Sequence, residues 1–253
     1  MVAIQEPPPR QRSNLVLHCG AHLVNRAQVS GVATPAATRT WAPIPHSLLV
    51  EQVELALHAT DLRVASQAHS LTHDGLRYFG LIQIQNSAQH PDYAWVLGLR
   101  NSHDKRFPAG IVAGATVIVC DNISFSGEIE IARKHTRFIL RDLPVLTRQA
   151  IDRLVDRWYH QDQRITAYKN KMIDDAAAHD LLIRAMDADV CATRVVPRVL
   201  KEWRKPRHAQ FEQRNVWALF NSFTESLKQT NLNELPHRTE ALHGLLDAYV
   251  GLN

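Results

Sequence analysis

The stretch Tyr93-Ala94-Trp95-Val96-Leu97-Gly98-Leu99-Arg100, YAWVLGLR, decides how this chain folds. Tyr93, Trp95, Leu97 and Leu99 alternate with Ala94, Val96 and Gly98, a period of two that sends successive side chains to opposite faces of a strand. Both sets are apolar, so both faces need cover and the strand belongs in the middle of a sheet. Turn signals at His73-Asp74-Gly75 and His90-Pro91-Asp92 separate it from other β-branched and aromatic runs. Strands are expected at about 62–70, 76–85, 93–100 and 115–120, and a fifth runs through 128–132 unless that stretch begins a helix. Connections this short favour an antiparallel meander.

Outward from the strands the period changes. Upstream, His46 or Ser47 opens a helix to about Ala59, with Leu48, Leu49, Val50, Val53 and Leu57 as its apolar stripe. Residues 15–45 are expected to form short strands or turns on the surface. Downstream, Asp142 is the expected N-cap of a long helix with Pro144 in its first turn. Ile151, Leu154, Trp158, Ile165, Tyr168 and Met172 recur there at steps of three, four or seven, a seam for packing. Further helices are expected at about 175–190, 197–204, 215–229 and 239–250. Strands followed by helices make an α+β protein: an antiparallel β-meander in the N-terminal half packed with a mostly helical C-terminal half. Residues 1–14 read as a flexible leader, 15–140 as the β-rich part and 141–253 as the helical part, packed together as one domain.

Composition narrows the class. The 45% hydrophobic and 21% charged fractions of the 253 residues are those of an ordinary globular chain, not a disordered one. Cys19, Cys120 and Cys191 are odd in number and show no C-x-x-C spacing, which argues against a disulfide framework or structural zinc and fits a reducing, cytoplasmic setting. The N-terminus lacks the apolar core of a secretory signal. The longest mostly apolar uncharged run, 109–120, is too short for the ~20 residues that span a bilayer, so no membrane partner is expected. Neither a Walker A loop nor a Rossmann glycine signature is present, which leaves nucleotide cofactors without support.

Charge is uneven. Residues 1–132 hold 9 basic and 10 acidic side chains, 133–214 hold 18 and 11, and 215–253 hold 2 and 4, so the middle carries the whole excess. A concentrated basic stretch attracts a polyanion or forms a solvated helical face.

Reactive side chains concentrate in Arg100-Asn101-Ser102-His103-Asp104-Lys105, Cys120-Asp121-Asn122 and Lys134-His135-Thr136. With TWAPIPH at 40–46, EWRKPRH at 202–208 and WALFNSFTESLK at 217–228, these segments resemble the bacterial, phage and plasmid family known as domain of unknown function 932, from about Cys19 to Gly244. The resemblance implies no activity. It rests on an Arg-Asn-Ser-x-Asp-Lys pattern that varies at the place of His103, so it implies no indispensable role there. It points instead to Arg100, Asn101, Asp104, Lys105, Cys120, Asp121, Asn122 and His135.

Asn101 and Asp104 also suit closing turns through bonds to their own backbone. Cys120, His135 and Asn122 fit a nucleophile, a base and its orienting partner, although a cysteine ending an apolar strand is more often a buried one. Cys120, Asp121, His135 and Asp104 could hold a divalent metal, without diagnostic spacing to support it. Ser102-His103-Asp104 is no triad, because neighbours in an extended chain point to alternate faces.

Three functions fit. The leading expectation is non-enzymatic, sequence-tolerant nucleic-acid binding, single-stranded DNA included, through Arg133, Lys134, Arg137 and neighbouring arginines, with Tyr78, Tyr159 and Trp203 as stacking candidates. The alternatives are a metal- or Cys-dependent hydrolase at the Arg100–His135 cluster, with Arg100, Asp104, Asp121 and His135 facing one cleft, and a protein interaction module.

Overall fold

The computed structural model describes residues 21–60, 62–85, 93–117, 123–132, 136–230 and 234–252. Six strands, β1 His22–Val24, β2 Val64–Thr72, β3 Arg77–Ile84, β4 Tyr93–Ser102, β5 Ala109–Val117 and β6 Ile123–Ala132, pair antiparallel in chain order as one meander. The helices are α1 Arg26–Ser30, α2 His46–Ala59, α3 Ile139–Asn170, α4 Asp175–Asp187, α5 Val196–Arg204, α6 Val216–Leu227 and α7 Leu235–Val250. The α+β arrangement is the expected one, and β4 lies between β3 and β5 with both faces buried. The run from Ala109 enters the sheet six residues earlier than the sequence pattern predicts, because Ala109, Ile111 and Ala113 pack inward despite the intervening glycines. β1 is one short strand in the segment that the sequence assigned to short strands or turns, and it pairs at the edge of the sheet.

Two apolar clusters sandwich the sheet. Tyr78, Ile82, Leu97, Leu99 and Ile111 pack with Leu49, Val50, Val53 and Leu57 of α2 and with Ile139, Leu143, Ile151, Leu154 and Trp158 of α3. Phe79, Leu81, Val96 and Val112, of the opposite parity on their strands, join the cluster built by α4 to α7. The 32 residues of α3 serve both, since Ile165 and Tyr168 near its end belong to the second cluster. Three-quarters of the way along it, Asp162 accepts hydrogen bonds from the Tyr93 hydroxyl at 2.7 Å and the Trp95 indole at 2.9 Å. Further along, the Asp247 carboxylate of α7 receives Arg164 Nη2 and the Tyr168 hydroxyl, each at 2.7 Å.

The start of α3 differs from the sequence reading. The helix begins at Ile139, three residues before Asp142, so Pro144 is its sixth residue rather than its second. Ile139 and Leu143 are buried, and burying two such side chains is worth ~1.5–3 kcal/mol each, which outweighs the ~3 kcal/mol of an interior proline. Asp142 accepts from Arg141 Nε at 2.7 Å instead of capping. Met172, assigned to the seam, is 62% exposed, because α3 ends at Asn170 and the chain leaves the helical face.

Trp158 sets a stability test. It is 1% exposed, stacks parallel on Trp95 with centroids 5.4 Å apart, and its indole N–H has no partner. Trp158→Ala should cost ~3–5 kcal/mol as a large-to-small core change, whereas Trp158→Phe, which also deletes an unsatisfied donor, should cost less than half of that. Denaturant midpoints at constant m-value measure both.

Candidate functional site

One end of the sheet gathers the motif residues Arg100, Asn101, Asp104 and Lys105. The β2–β3 turn, the loop 103–108 between β4 and β5, and the exit of β6 all lie there, since Thr72 pairs with Arg77, Arg77 with Ser102, and Ala109 with Ala132. Thr136 and the first turn of α3 follow within seven residues of that exit.

Beneath this end lies a buried polar knot. The Ile44 carbonyl accepts from Asn101 Nδ2 at 2.8 Å and from His103 Nε2 at 2.9 Å. Asn101 Nδ2 also donates to His46 Nδ1 at 2.9 Å, which makes that ring nitrogen an acceptor and places the proton on Nε2, 2.9 Å from the Gly75 carbonyl. The His46 and His103 rings stack at 3.8 Å with 6° between planes, and Tyr78 lies against His46 at 5.5 Å. The Tyr78 hydroxyl meets His69 Nδ1 at 2.9 Å. Gly80 makes room for it: a Cβ there would stand 2.1 Å from the Tyr78 oxygen.

Burial pushes the His69 and His103 imidazoles below their ordinary range and the Tyr78 phenol upward, so the knot is held together by neutral groups. Arg26 adds to the lowering of His69, whereas the Ile44 carbonyl and Asp104 partly oppose that of His103. Asn101 Oδ1 and His103 Nδ1 are buried without a hydrogen-bond partner.

Above the knot, the loop presents charge to solvent. Asp104 accepts from Arg77 Nε at 2.7 Å through one oxygen and from the Arg106 backbone N–H at 3.2 Å through the other, the local turn expected of it. Lys105 sits at φ 63° with its ammonium 4.5 Å over the Trp41 ring, and Arg106 is exposed. Arg100, on the other parity of β4 from Asn101, stacks 5.3 Å over Phe107. Asn101 is fully buried and bonds a segment 57 residues away, so it is a tie between segments rather than a turn closer or an exposed contact.

At the entrance of α3, Phe138 is 46% exposed, with the Arg137 and Arg141 guanidinium carbons 4.5 and 4.8 Å from its ring centroid. Of the stacking candidates, Tyr159 is 63% exposed, while Tyr78 and Trp203 are core residues with at most 1% exposure. Trp203 is held by Asp175 through its indole N–H and is covered by Arg214. Side chains with a polar edge look alike in sequence whether they face water or a buried partner.

Cys120, Asp121, Asn122, Arg133, Lys134 and His135 lie outside the described residues. The backbone that brackets the first three, Val117 and Ile123, is at the opposite end of the β5–β6 pair from Ala109 and Ala132, eight residues of β5 or ~27 Å away. Asp104 adjoins the Ala109 end. Among the described residues, no three His, Cys, Asp or Glu side chains are arranged to hold a metal.

Sequence reasoning did not connect His46, His69, Tyr78 and His103. The available signal was a ring or amide two positions from an apolar or small residue on one strand face: His69 and Leu71 on β2, Tyr78 and Gly80 on β3, Asn101 and His103 after Leu99.

The chain belongs to the family described as Domain of unknown function (DUF932), whose model matches residues 36–244. No curated protein and no solved structure matches it. No helix among the described residues is long and apolar enough to cross a membrane.

The buried histidines dictate a pH response. His69, His103 and His243 all have folded pKa values lowered by burial, and the unfolded chain therefore takes up protons first as pH falls below ~6.5. Their stabilising contribution is complete above that pH and is lost progressively below it. The melting temperature should drop between pH 7.5 and pH 5, and His103→Phe, which removes a titrating group, should shrink the drop.

Proposed function

We propose that this family member binds nucleic acid without strong sequence preference and without chemistry of its own, through loop 103–108 and the start of α3. The observation that carries this reading is Phe138, an exposed aromatic ring with two guanidinium groups packed on it. An exposed apolar ring surrounded by cations suits a polyanion that also carries flat bases. Supporting charge comes from Lys105, Arg106 and Arg148, all exposed, and from Arg133 and Lys134 next to this point in the sequence.

The start of a helix adds its own partial positive charge, and no side chain caps α3 at Phe138. Asp142 and Asp152 offset part of the field through their pairs with Arg141 and Arg148. The groups here deliver charge and a stacking surface rather than the bonding pattern of a base-edge reader, which is the reason to expect tolerance of sequence.

Labelled single- and double-stranded DNA titrated at several salt concentrations tests the reading. Binding should weaken steeply with salt, and Arg137→Ala with Arg141→Ala should reduce affinity for every sequence and lower the single-strand salt slope by ~1.4, about 0.7 for each phosphate no longer neutralised. No binding at low salt would overturn the proposal.

A further inference from the structure

Phe138 is one end of a longer exposed line. Phe138, Arg141, Val145, Arg148, Asp152 and Tyr159 follow one another at steps of three, four, three, four and seven, so they share the outward face of α3, opposite the buried Leu143, Ala150, Ile151, Leu154 and Trp158. Phe138, Val145 and Tyr159 are 46%, 61% and 63% exposed, large apolar groups left in water on a helix whose other side is fully packed. The two aromatic rings stand 21 residues apart, ~31 Å along the helix. Arg141 and Arg148 lie between them, 72% and 55% exposed at the side chain.

We infer that this face of α3 is a track for single-stranded nucleic acid, with unpaired bases stacked at Phe138 and Tyr159 and phosphates between them met by Arg141 and Arg148. The inference rests on the nucleic-acid reading above and gives it a strand preference. A duplex keeps its base faces inside the helix and offers a surface ring only edges and backbone, whereas an unpaired base offers a π-face to Phe or Tyr. The interleaving of apolar groups with cations speaks for this occupant: Phe138 and Val145 are each followed along the line by an arginine, which sets a positive charge for a phosphate beside each apolar step. Asp152 is the one acidic group among the six, and Arg148 lies 3.8 Å from it.

Binding of the full-length chain to an oligo-dT 15-mer and to a 15-base-pair duplex, compared for Phe138→Ala, Tyr159→Ala, their combination and Arg141→Ala/Arg148→Ala, tests it. Each aromatic deletion should weaken the single strand roughly tenfold, with little change in the duplex or in the salt slope, and the arginine pair should weaken both ligands. Both rings are exposed, so unchanged thermal melting should accompany the loss. If the aromatic variants bind oligo-dT as the unaltered chain does while the arginine variant binds less, the track falls and the electrostatic reading stands. If the unaltered chain binds neither ligand, both fall. If the double aromatic variant instead abolishes a self-association seen in sedimentation and leaves oligo-dT binding intact, the face is a contact between copies and the inference is overturned.

Discussion

The Ile44 carbonyl is a single acceptor on which two remote side chains converge. It receives Asn101, at the end of β4, and His103, just beyond it, both more than fifty residues later in the chain. Through Asn101 the same contact orients His46, whose other nitrogen ties the β2–β3 turn at Gly75. Three separate stretches are thus fastened below the surface that displays Lys105 and Arg106. Buried polar groups are costly when unpaired, by ~1–3 kcal/mol each, so a partial knot would be worse than none, and most of its atoms find partners. Asn101 Oδ1 and His103 Nδ1 are the exceptions.

The knot also accounts for local choices along the strands. Tyr78 must lie across the strand to reach both His46 and His69, and only glycine at position 80 leaves space for it. Lys105 takes a left-handed backbone conformation, which most side chains avoid, next to a strand end held by Asn101 and His103. Its stacking on Trp41 and the Asp104–Arg77 pair offset the strain and aim the loop. The motif residues before loop 103–108 thus shape a surface from beneath, and those within the loop form it.

α3 has a different task. It joins the two apolar clusters, gripping the sheet through Asp162 and α7 through Arg164 and Tyr168. A helix fixed on one side by a core along its length and by polar ties in its last third presents its other side to solvent.

What the sequence determined by itself was the alternation of β4, its central place, the meander, the extent of α2 and α5 to within a residue, and Trp158 and Tyr168 as core. These follow from short-range periodicity, which the backbone geometry enforces wherever the residues are apolar. Tertiary structure alone decided which polar residues meet. Asn101 has the composition of a turn and the surroundings of a core, because its partner Ile44 is remote in sequence, and His46 reads only as a helix start. Burial of Ile139 and Leu143 moved the beginning of α3 past a local N-cap signal, since packing energy outweighs capping and proline preference at that point. Whether an aromatic side chain stands in water, as for Tyr159, or is a core block, as for Trp203 and Tyr78, depends on which helix or strand covers it, and no local pattern encodes that.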